Sequence, residues 1–333
     1  MIEVKNLTKQ YGQHTAVSEL TFTIEDGRIY GLLGPNGAGK STTMNILTGC
    51  LAATSGEVRV NGYDIFEDAI SAKKLIGYLP EQPPLYMDMT PAEYLRFVAK
   101  AKGVSKENIE AQLQHVCEVT QIVPVQDRLI RNLSKGYRQR VGIAQALLGD
   151  PKVIILDEPT VGLDPKQIIE IRDLIRELGK GHTVILSSHI LSEVQAVCDS
   201  VMIISHGCLV ASDTPENLEK LFAGHSTVEL RVRATEQEVQ TALLSITDII
   251  ETVCQQTAED GVLDVVVTCK GDADVCEAIF FAFCDLHRPI LRMTAARASL
   301  EDIFLELTAE QNADPKLVPK TQEKEDSTDE GNL

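Results

Sequence analysis

A glycine-rich stretch, GPNGAGKS at residues 34–41, has the spacing of a phosphate-binding loop. Its glycines would let the backbone turn tightly, so that main-chain N–H groups point at phosphate oxygens, and the helical stretch that follows would present its positive end. Lys40 would then reach the β- and γ-phosphates of a nucleotide, and the Ser41 hydroxyl would ligate Mg²⁺. The alternative is an ordinary glycine turn, but an apolar stretch before the loop and a helical one after it favour the phosphate site.

Acidic and polar side chains follow three further apolar stretches. Asp157 and Glu158 come directly after VIIL at 153–156, and open α/β sheets bind ligands at the carboxyl ends of their strands. Asp157 is suited to hold Mg²⁺ through water, and Glu158 to accept a proton from an attacking water, although such a pair can equally be a helix start. His189 ends TVILSSH and could donate to a γ-phosphate, while Gln82 in IGYLPEQ could reach Mg²⁺ or the water. Taken alone, either of these last two is more often structural.

A second anion-binding pattern is NLSKGYRQR at 132–140, which places a serine, a lysine, a glycine and two arginines before an apolar helical run. The N-terminus of a helix attracts anions through its free N–H groups and its dipole. Ser134 and Gly136 would contribute hydroxyl and N–H donors. These residues by themselves leave open which anion they would hold.

Composition limits the class of partner. The formal net charge of the 333 residues is −18, with 44% hydrophobic and 24% charged residues, which is ordinary globular usage. Nucleic-acid backbone binding needs clustered Lys and Arg rather than an excess of carboxylates, so we expect no nucleic-acid partner. A phosphate ligand is compatible with the acidic charge, because surface charges are screened beyond about 8 Å at physiological ionic strength.

The cysteines and the apolar runs indicate the compartment. The eight cysteines include no C-x-x-C pair, so neither a zinc site nor a disulfide framework is predicted, and reduced thiols are expected. The N-terminal MIEVKNLTKQYG lacks the features of a signal peptide, and the longest apolar run, AIFFAFC at 278–284, is far shorter than a membrane span. We expect a cytoplasmic chain whose membrane role, if any, uses a partner.

Residues 1–222 alternate short apolar strands with helical stretches, which predicts an α/β fold with a mainly parallel sheet. Within this region, residues 88–150 are predicted to be a helical insertion that begins with a capping box of Thr90 and Glu93. The predicted core strands are RIYGLL at 28–33, VIIL at 153–156, TVILSS at 183–188 and SVMIIS at 200–205.

The rest of the chain has a different pattern. Residues 226–309 predict a small α+β domain in the order strand, helix, strand, strand, helix, strand, helix, with a second capping box at Thr235 and Glu238. Residues 310–333 have almost no apolar content and are predicted to be a disordered tail.

Taken in order, these motifs resemble the nucleotide-binding subunit of an ABC transporter across residues 1–222. The family's Walker A motif corresponds to GPNGAGKST, its Q-loop to Gln82, its Walker B motif to VIILDE, its D-loop to GLDP around Asp164, and its switch histidine to His189. Tyr11 corresponds to the aromatic that stacks on adenine, the alternative being an ordinary edge-strand aromatic. The family's Leu-Ser-Gly-Gly-Gln signature corresponds to LSKGY, with Lys135 in place of the first glycine and Tyr137 in place of the glutamine.

The resemblance implies a P-loop NTPase cassette with a parallel core sheet, an antiparallel β subdomain and a helical subdomain, followed by the small α+β domain. It also implies ATP and Mg²⁺ as ligands. The catalytic residues would be Glu158, His189 and Gln82, and the metal ligands Ser41, Gln82 and Asp157. ATP would be bound by Tyr11, Gly34, Pro35, Asn36, Gly37, Ala38, Gly39, Lys40, Ser41, Thr42, Ser134, Gly136 and Asp164.

The resemblance further implies a head-to-tail dimer in which each signature motif caps the γ-phosphate held by the other chain's Walker A loop. The dimer, a homodimer or a heterodimer, would act on transmembrane permease subunits at the inner face of the cell membrane. LSKGYRQR and the later ARASLEDIFLELT resemble bacterial exporter ATPases for drugs, antibiotics or lipids, closest to gliding-motility-type ATP-binding proteins. The alternative is a soluble ABC ATPase with a regulatory or translation-associated role.

Overall fold

The computed structural model of the chain describes residues 1–222, 225–257, 259, 261–270 and 274–296. The last predicted helix of the C-terminal domain, within 297–309, and the predicted tail at 310–333 lie outside the described residues. The strands are β1 (Ile2–Tyr11), β2 (His14–Ile24), β3 (Ile29–Leu33), β4 (Ser55–Val60), β5 (Tyr63–Asp64), β6 (Ile76–Leu79), β7 (Val153–Leu156), β8 (Thr183–Ser188), β9 (Ser200–Ser205), β10 (Cys208–Asp213), β11 (His225–Val232), β12 (Ile249–Gln256), β13 (Leu263–Lys270) and β14 (Ile290–Ala296).

The described residues form ten α-helices. They are α1 (Lys40–Leu47), α2 (Ala69–Lys74), α3 (Pro91–Ala101), α4 (Ile109–Val119), α5 (Lys135–Leu147), α6 (Pro165–Gly179), α7 (Leu191–Val197), α8 (Pro215–Phe222), α9 (Glu236–Leu243) and α10 (Cys276–Asp285). None of the helices within the described residues has the length and apolarity needed to cross a bilayer.

The central sheet has the strand order β10-β9-β3-β8-β7-β6, and its strands are parallel except for the edge strand β10. Every residue of β3, β7, β8 and β9 is buried. This agrees with their continuous apolar runs, which are typical of strands covered on both faces. Three of these strands begin and end at the predicted residues, and β3 begins one residue later than predicted, at Ile29. The predicted α/β fold with a mainly parallel sheet is therefore confirmed.

A second, antiparallel sheet has the order β2-β1-β4-β5 and packs against one side of the central sheet. Leu20 and Phe22 of β2 share a hydrophobic core with Leu32 of β3 and Ile155 of β7. This packing places the end of β1, and with it Tyr11, beside the loop that follows β3.

The predicted helical insertion contains α3, α4, α5 and two short 3₁₀ turns, Val123–Val125 and Ile130–Asn132. No strand interrupts residues 80–152, all of which the structure describes. The Thr90 hydroxyl accepts a hydrogen bond from the Glu93 N–H at 3.3 Å, and the Glu93 carboxylate accepts one from the Thr90 N–H at 2.9 Å. The predicted capping box therefore begins α3, with Pro91 in the first turn.

The C-terminal sheet has the order β12-β13-β11-β14 and is antiparallel throughout. Helices α9 and α10 contribute Val239, Ile279 and Phe283 to a core shared with the inward side chains of β11 and β13. The Thr235–Glu238 capping box is present at the start of α9. The element order strand, helix, strand, strand, helix, strand is that of a ferredoxin-like unit and confirms the predicted pattern as far as β14.

Candidate functional site

Three of the predicted motifs lie at one edge of the central sheet. Gly34, Asp157 and His189 directly follow the carboxyl ends of β3, β7 and β8. Strand β8 lies between the other two, and all three run parallel. Since ligands of open parallel sheets bind beyond the carboxyl ends of the strands, this edge is the candidate site.

The glycine-rich loop wraps around the start of α1. Gly39 precedes the helix with a φ of 104°, and a Cβ at that position would lie 2.5 Å from the Ala16 carbonyl oxygen, so only glycine fits. Lys40 is the first residue of the helix and is 6% exposed. Its ammonium donates hydrogen bonds to the carbonyl oxygens of Gly34 at 2.7 Å and Pro35 at 3.3 Å. The side chain that would bind phosphate therefore also holds the loop in place through hydrogen bonds.

A chain of three charged or ionisable groups crosses the site. Lys40 Nζ lies 3.5 Å from Glu158 Oε1, and the other Glu158 oxygen lies 2.9 Å from His189 Nδ1. Glu158 is 7% exposed and its φ is 47°, a left-handed conformation that side chains other than glycine adopt rarely and at a cost in energy. The carboxylate is thus held between a cation and an imidazole by a strained backbone, the type of arrangement that clusters at functional sites.

The oxygen atoms beside the loop suit a magnesium ion. Ser41 Oγ donates to Asp157 Oδ1 at 3.3 Å, and Ser187 Oγ donates to the same oxygen at 2.6 Å while accepting from the Glu158 N–H at 2.8 Å. Within the described residues there is no cluster of three His, Cys, Asp or Glu side chains that could hold a metal by itself. One carboxylate and one hydroxyl match Mg²⁺, which keeps several waters and shares its remaining positions with substrate phosphates.

Lys40, Ser41, Glu158 and His189 line a cleft of about 470 Å³, whereas the buried Asp157 is not among its lining residues. The predicted residues among its lining are Tyr11, Asn36, Gly37, Gly39, Lys40, Ser41, Thr42, Glu158 and His189. Tyr11 is 48% exposed, as a residue that stacks on a ligand requires, and Lys9 Nζ lies 5.2 Å from the centre of its ring. A larger groove of about 620 Å³ between α4 and α6 contains none of the predicted residues.

The lining also includes four residues that sequence reasoning missed, which are His14, Ala16, Glu81 and Val161. A hairpin between Tyr11 and His14 would have placed His14 beside the tyrosine, since the two are paired in the β1–β2 register. Gln82 is exposed and is not among the residues that line the cleft, whereas its neighbour Glu81 is. The structure therefore does not bring Gln82 to the site together with the other predicted residues.

The residues of the second anion-binding pattern lie elsewhere. Ser134 is exposed and caps α5, its hydroxyl accepting from the Tyr137 N–H at 3.3 Å. Asp164 caps the neighbouring α6 in the same way, accepting from the Gln167 N–H at 2.9 Å. The two helix starts touch, because a Cβ on Gly136 would lie 2.8 Å from the Gln167 side chain. None of these residues lines the 470 Å³ cleft.

The two departures from the signature pattern have different surroundings. Lys135 is exposed, and its Nζ lies 2.1 Å from the position that a Cβ on Gly162 would take. The ammonium therefore extends over the loop that leads to Asp164. Tyr137 is half-buried and packs against the core of the central sheet and the helical insertion.

The comparisons with known proteins agree with this geometry. The family described as "ABC transporter" matches residues 17–161. The chain is 36% identical to an uncharacterized ABC transporter ATP-binding protein, YhcH, of Bacillus subtilis (strain 168), over 93% of this chain and 96% of the relative. It is 31% identical to the linearmycin resistance ATP-binding protein LnrL of the same organism, over 92% of this chain and 98% of the relative. It is 34% identical to the bacitracin transport ATP-binding protein BcrA of Bacillus licheniformis, over 92% of this chain and 97% of the relative.

Solved structures agree in fold. An ATP-binding subunit of an ABC transporter has a TM-score of 0.61 and 33% identity, covering 67% of this chain and 93% of that one. The dimeric post-hydrolysis state of the cassette MJ0796 bound to ADP and Pi has a TM-score of 0.58 and 26% identity, covering 64% and 98%.

Proposed function

This chain belongs to the ABC transporter family as an ATP-binding subunit that hydrolyses ATP, and from that premise we propose that it drives export through separate transmembrane subunits. The alternative of a soluble regulatory or translation-associated ATPase has no observation in its favour. The observation that supports ATP hydrolysis at this site is the Lys40–Glu158–His189 chain in a cleft whose loop has the geometry of a phosphate site.

In the proposed mechanism, the loop 34–42 binds the phosphates of ATP through its main-chain N–H groups, and Lys40 neutralises charge on the β- and γ-phosphates. Glu158 accepts a proton from the attacking water, because its carboxylate is buried beside the loop and held by neighbours on both sides. His189 donates to the γ-phosphate as charge develops there. Tyr11 stacks on adenine, for which its half-exposed ring at the cleft is suited.

Ser41 and Asp157 would hold Mg²⁺, which supplies neutralisation of phosphate charge during the transfer. We propose that the Gln82 amide contacts either the metal or the attacking water when the loop between β6 and α3 moves. Its exposed position in that loop, one residue from the cleft-lining Glu81, supports this role.

The exposed helix starts support dimerisation around ATP. Ser134, Gly136 and Asp164 lie outside the cleft of their own chain, yet Ser134 and Asp164 are exposed caps of helices whose free N–H groups favour an anion. A second subunit that offers its own γ-phosphate here would complete both sites. All catalytic positions hold competent residue types, so two copies of this chain can form the pair, and a related partner chain could replace one of them.

Export is supported by relatives that match nearly the full chain. The linearmycin resistance protein LnrL and the bacitracin transport protein BcrA each align with 92% of it, which requires that the alignment extends into the C-terminal sheet. We propose a cassette at residues 1–222, with its helical subdomain at 88–150, and an accessory domain at 226–309 that contributes to subunit contacts or regulation. Such a subunit would lie at the inner face of the cell membrane.

Recovery of the tagged full chain from its own membranes in mild detergent tests this proposal. We expect a protein with several membrane spans to be recovered with it, and ATP hydrolysis by the complex to be abolished by Glu158→Gln. Recovery of an active chain without any membrane protein would contradict the transport function.

A further inference from the structure

We propose that Glu193 is a positioning residue that fixes the catalytic Glu158 loop and the His189 loop relative to each other. The proposal rests on the function inferred above and adds to it a residue that touches neither nucleotide nor metal.

Glu193 is a buried carboxylate in α7 and is 6% exposed. One of its oxygens, Oε2, accepts hydrogen bonds from Thr160 Oγ1 at 2.5 Å and from Ser188 Oγ at 3.0 Å. No Lys, Arg or His side chain of the described residues lies within ion-pair distance of it. Burying a carboxylate without a cation is costly, so the two hydroxyl donors are what stabilises it.

The two donors belong to the two catalytic loops. Thr160 lies two residues after Glu158, and Ser188 directly precedes His189. The Ser188 hydroxyl also accepts from the Ile190 N–H at 3.0 Å, which leaves its proton for Glu193. Through a single oxygen, Glu193 therefore ties together the segments whose separation sets the 2.9 Å contact between Glu158 and His189.

Helix α7 is itself fixed to the strand that leads into the phosphate loop. A Cβ on Gly31 of β3 would lie 2.2 Å from Val194 Cγ1, so the helix packs directly on the strand backbone. Just after the helix, the Asp199 carboxylate accepts from the Ile29 N–H at 2.8 Å. Glu193 therefore holds both catalytic loops in a fixed position relative to β3. A displacement of catalytic groups by even ~1 Å can lower the reaction rate by about 10²-fold.

The test is steady-state ATP hydrolysis by the full chain carrying Glu193→Ala or Glu193→Gln, with kcat and KM measured separately. We expect Glu193→Ala to lower kcat by about 10- to 100-fold with KM for ATP changed by less than about threefold, because the chemistry is misaligned while the phosphate loop is intact. Glu193→Gln keeps an oxygen acceptor of the same reach, so kcat should return to within about threefold of the wild type.

Coupling between the three side chains gives the second readout. Thr160→Val with Ser188→Ala should lower kcat, and adding Glu193→Ala to this pair should lower it by less than about twofold more, because residues acting as one unit are not additive. The matched control is Thr120→Val, which removes a buried hydroxyl that donates to the Val116 carbonyl oxygen of α4 and should leave kcat unchanged.

The positioning role would be overturned if kcat fell equally in the alanine and glutamine variants, or if only KM changed. It would also be overturned if the decreases in kcat multiplied in the triple variant. Wild-type kcat in Glu193→Ala would also overturn the positioning role. If Glu158→Gln were inactive in the same assay, the proposed function would still stand. A wild-type chain without ATP hydrolysis, with or without its membrane partner, would instead refute the function itself.

Discussion

Glu158→Gln is expected to lower ATP turnover by about 10²- to 10⁴-fold while ATP binding changes little. In the proposed mechanism this carboxylate takes the proton of the attacking water, and it lies 7% exposed beside Lys40 and His189. Glutamine has nearly the same shape but cannot accept that proton. The variant should therefore bind ATP and accumulate in the closed form.

Phosphate release and equilibrium binding of ATP, measured on the same preparation, check this expectation. Glu177→Gln is the matched control, because Glu177 is an exposed acid near the end of α6 that pairs with Lys180 away from the cleft. Unchanged hydrolysis by Glu158→Gln would remove Glu158 from the role of base. Loss of ATP binding would show that the residue shapes the pocket instead.

Lys40→Met is expected to reduce kcat/KM for ATP by at least about 10²-fold, because it removes the charged donor that we propose stabilises developing phosphate charge. It should also destabilise the chain before any nucleotide binds. Lys40 and Glu158 are both less than a tenth exposed, with their charged atoms 3.5 Å apart. Removing one partner leaves a buried charge without its cation, which costs about 3 kcal/mol.

The double variant separates these two effects. Adding Glu158→Gln to Lys40→Met should restore much of the unfolding free energy in urea, since the uncompensated carboxylate is removed, but it should restore no hydrolysis. A double variant whose losses of stability simply add would contradict an energetically coupled ion pair.

Most of the cassette could be predicted from sequence because its signals are local. Continuous apolar runs defined β7, β8 and β9 to the residue, and Thr90 and Thr235 each identified a helix start through a capping box. Because Gly34, Asp157 and His189 each follow a predicted strand, the sequence placed them at the carboxyl ends of strands, where open α/β sheets bind ligands.

The parts that could not be predicted depend on packing between distant segments. Glu193 joins Thr160 and Ser188 only because α7 lies against Gly31, and no pattern in the sequence reports that approach. Likewise, the contact of Gly136 with Gln167 follows from how α5 packs beside α6. The exposure of Gln82 outside the cleft depends on a loop conformation that its motif does not determine.

That same packing explains why the site is proposed to need two subunits. Ser134 and Asp164 are exposed caps of two helices that touch at Gly136 and Gln167, and none of these residues lines the cleft that holds Lys40 and Glu158. Within one chain, the helix starts therefore do not face the cleft's own phosphate loop. Association of two chains would bring the caps of α5 to the phosphates of the partner.

The most direct test is ATP turnover per chain, measured as the protein is diluted, with sedimentation velocity recorded in the same buffer with ATP and Mg²⁺. If each site needs two chains, turnover per chain will fall in step with the loss of dimer. Hydrolysis at the undiminished rate by a species that sediments as a monomer would contradict it.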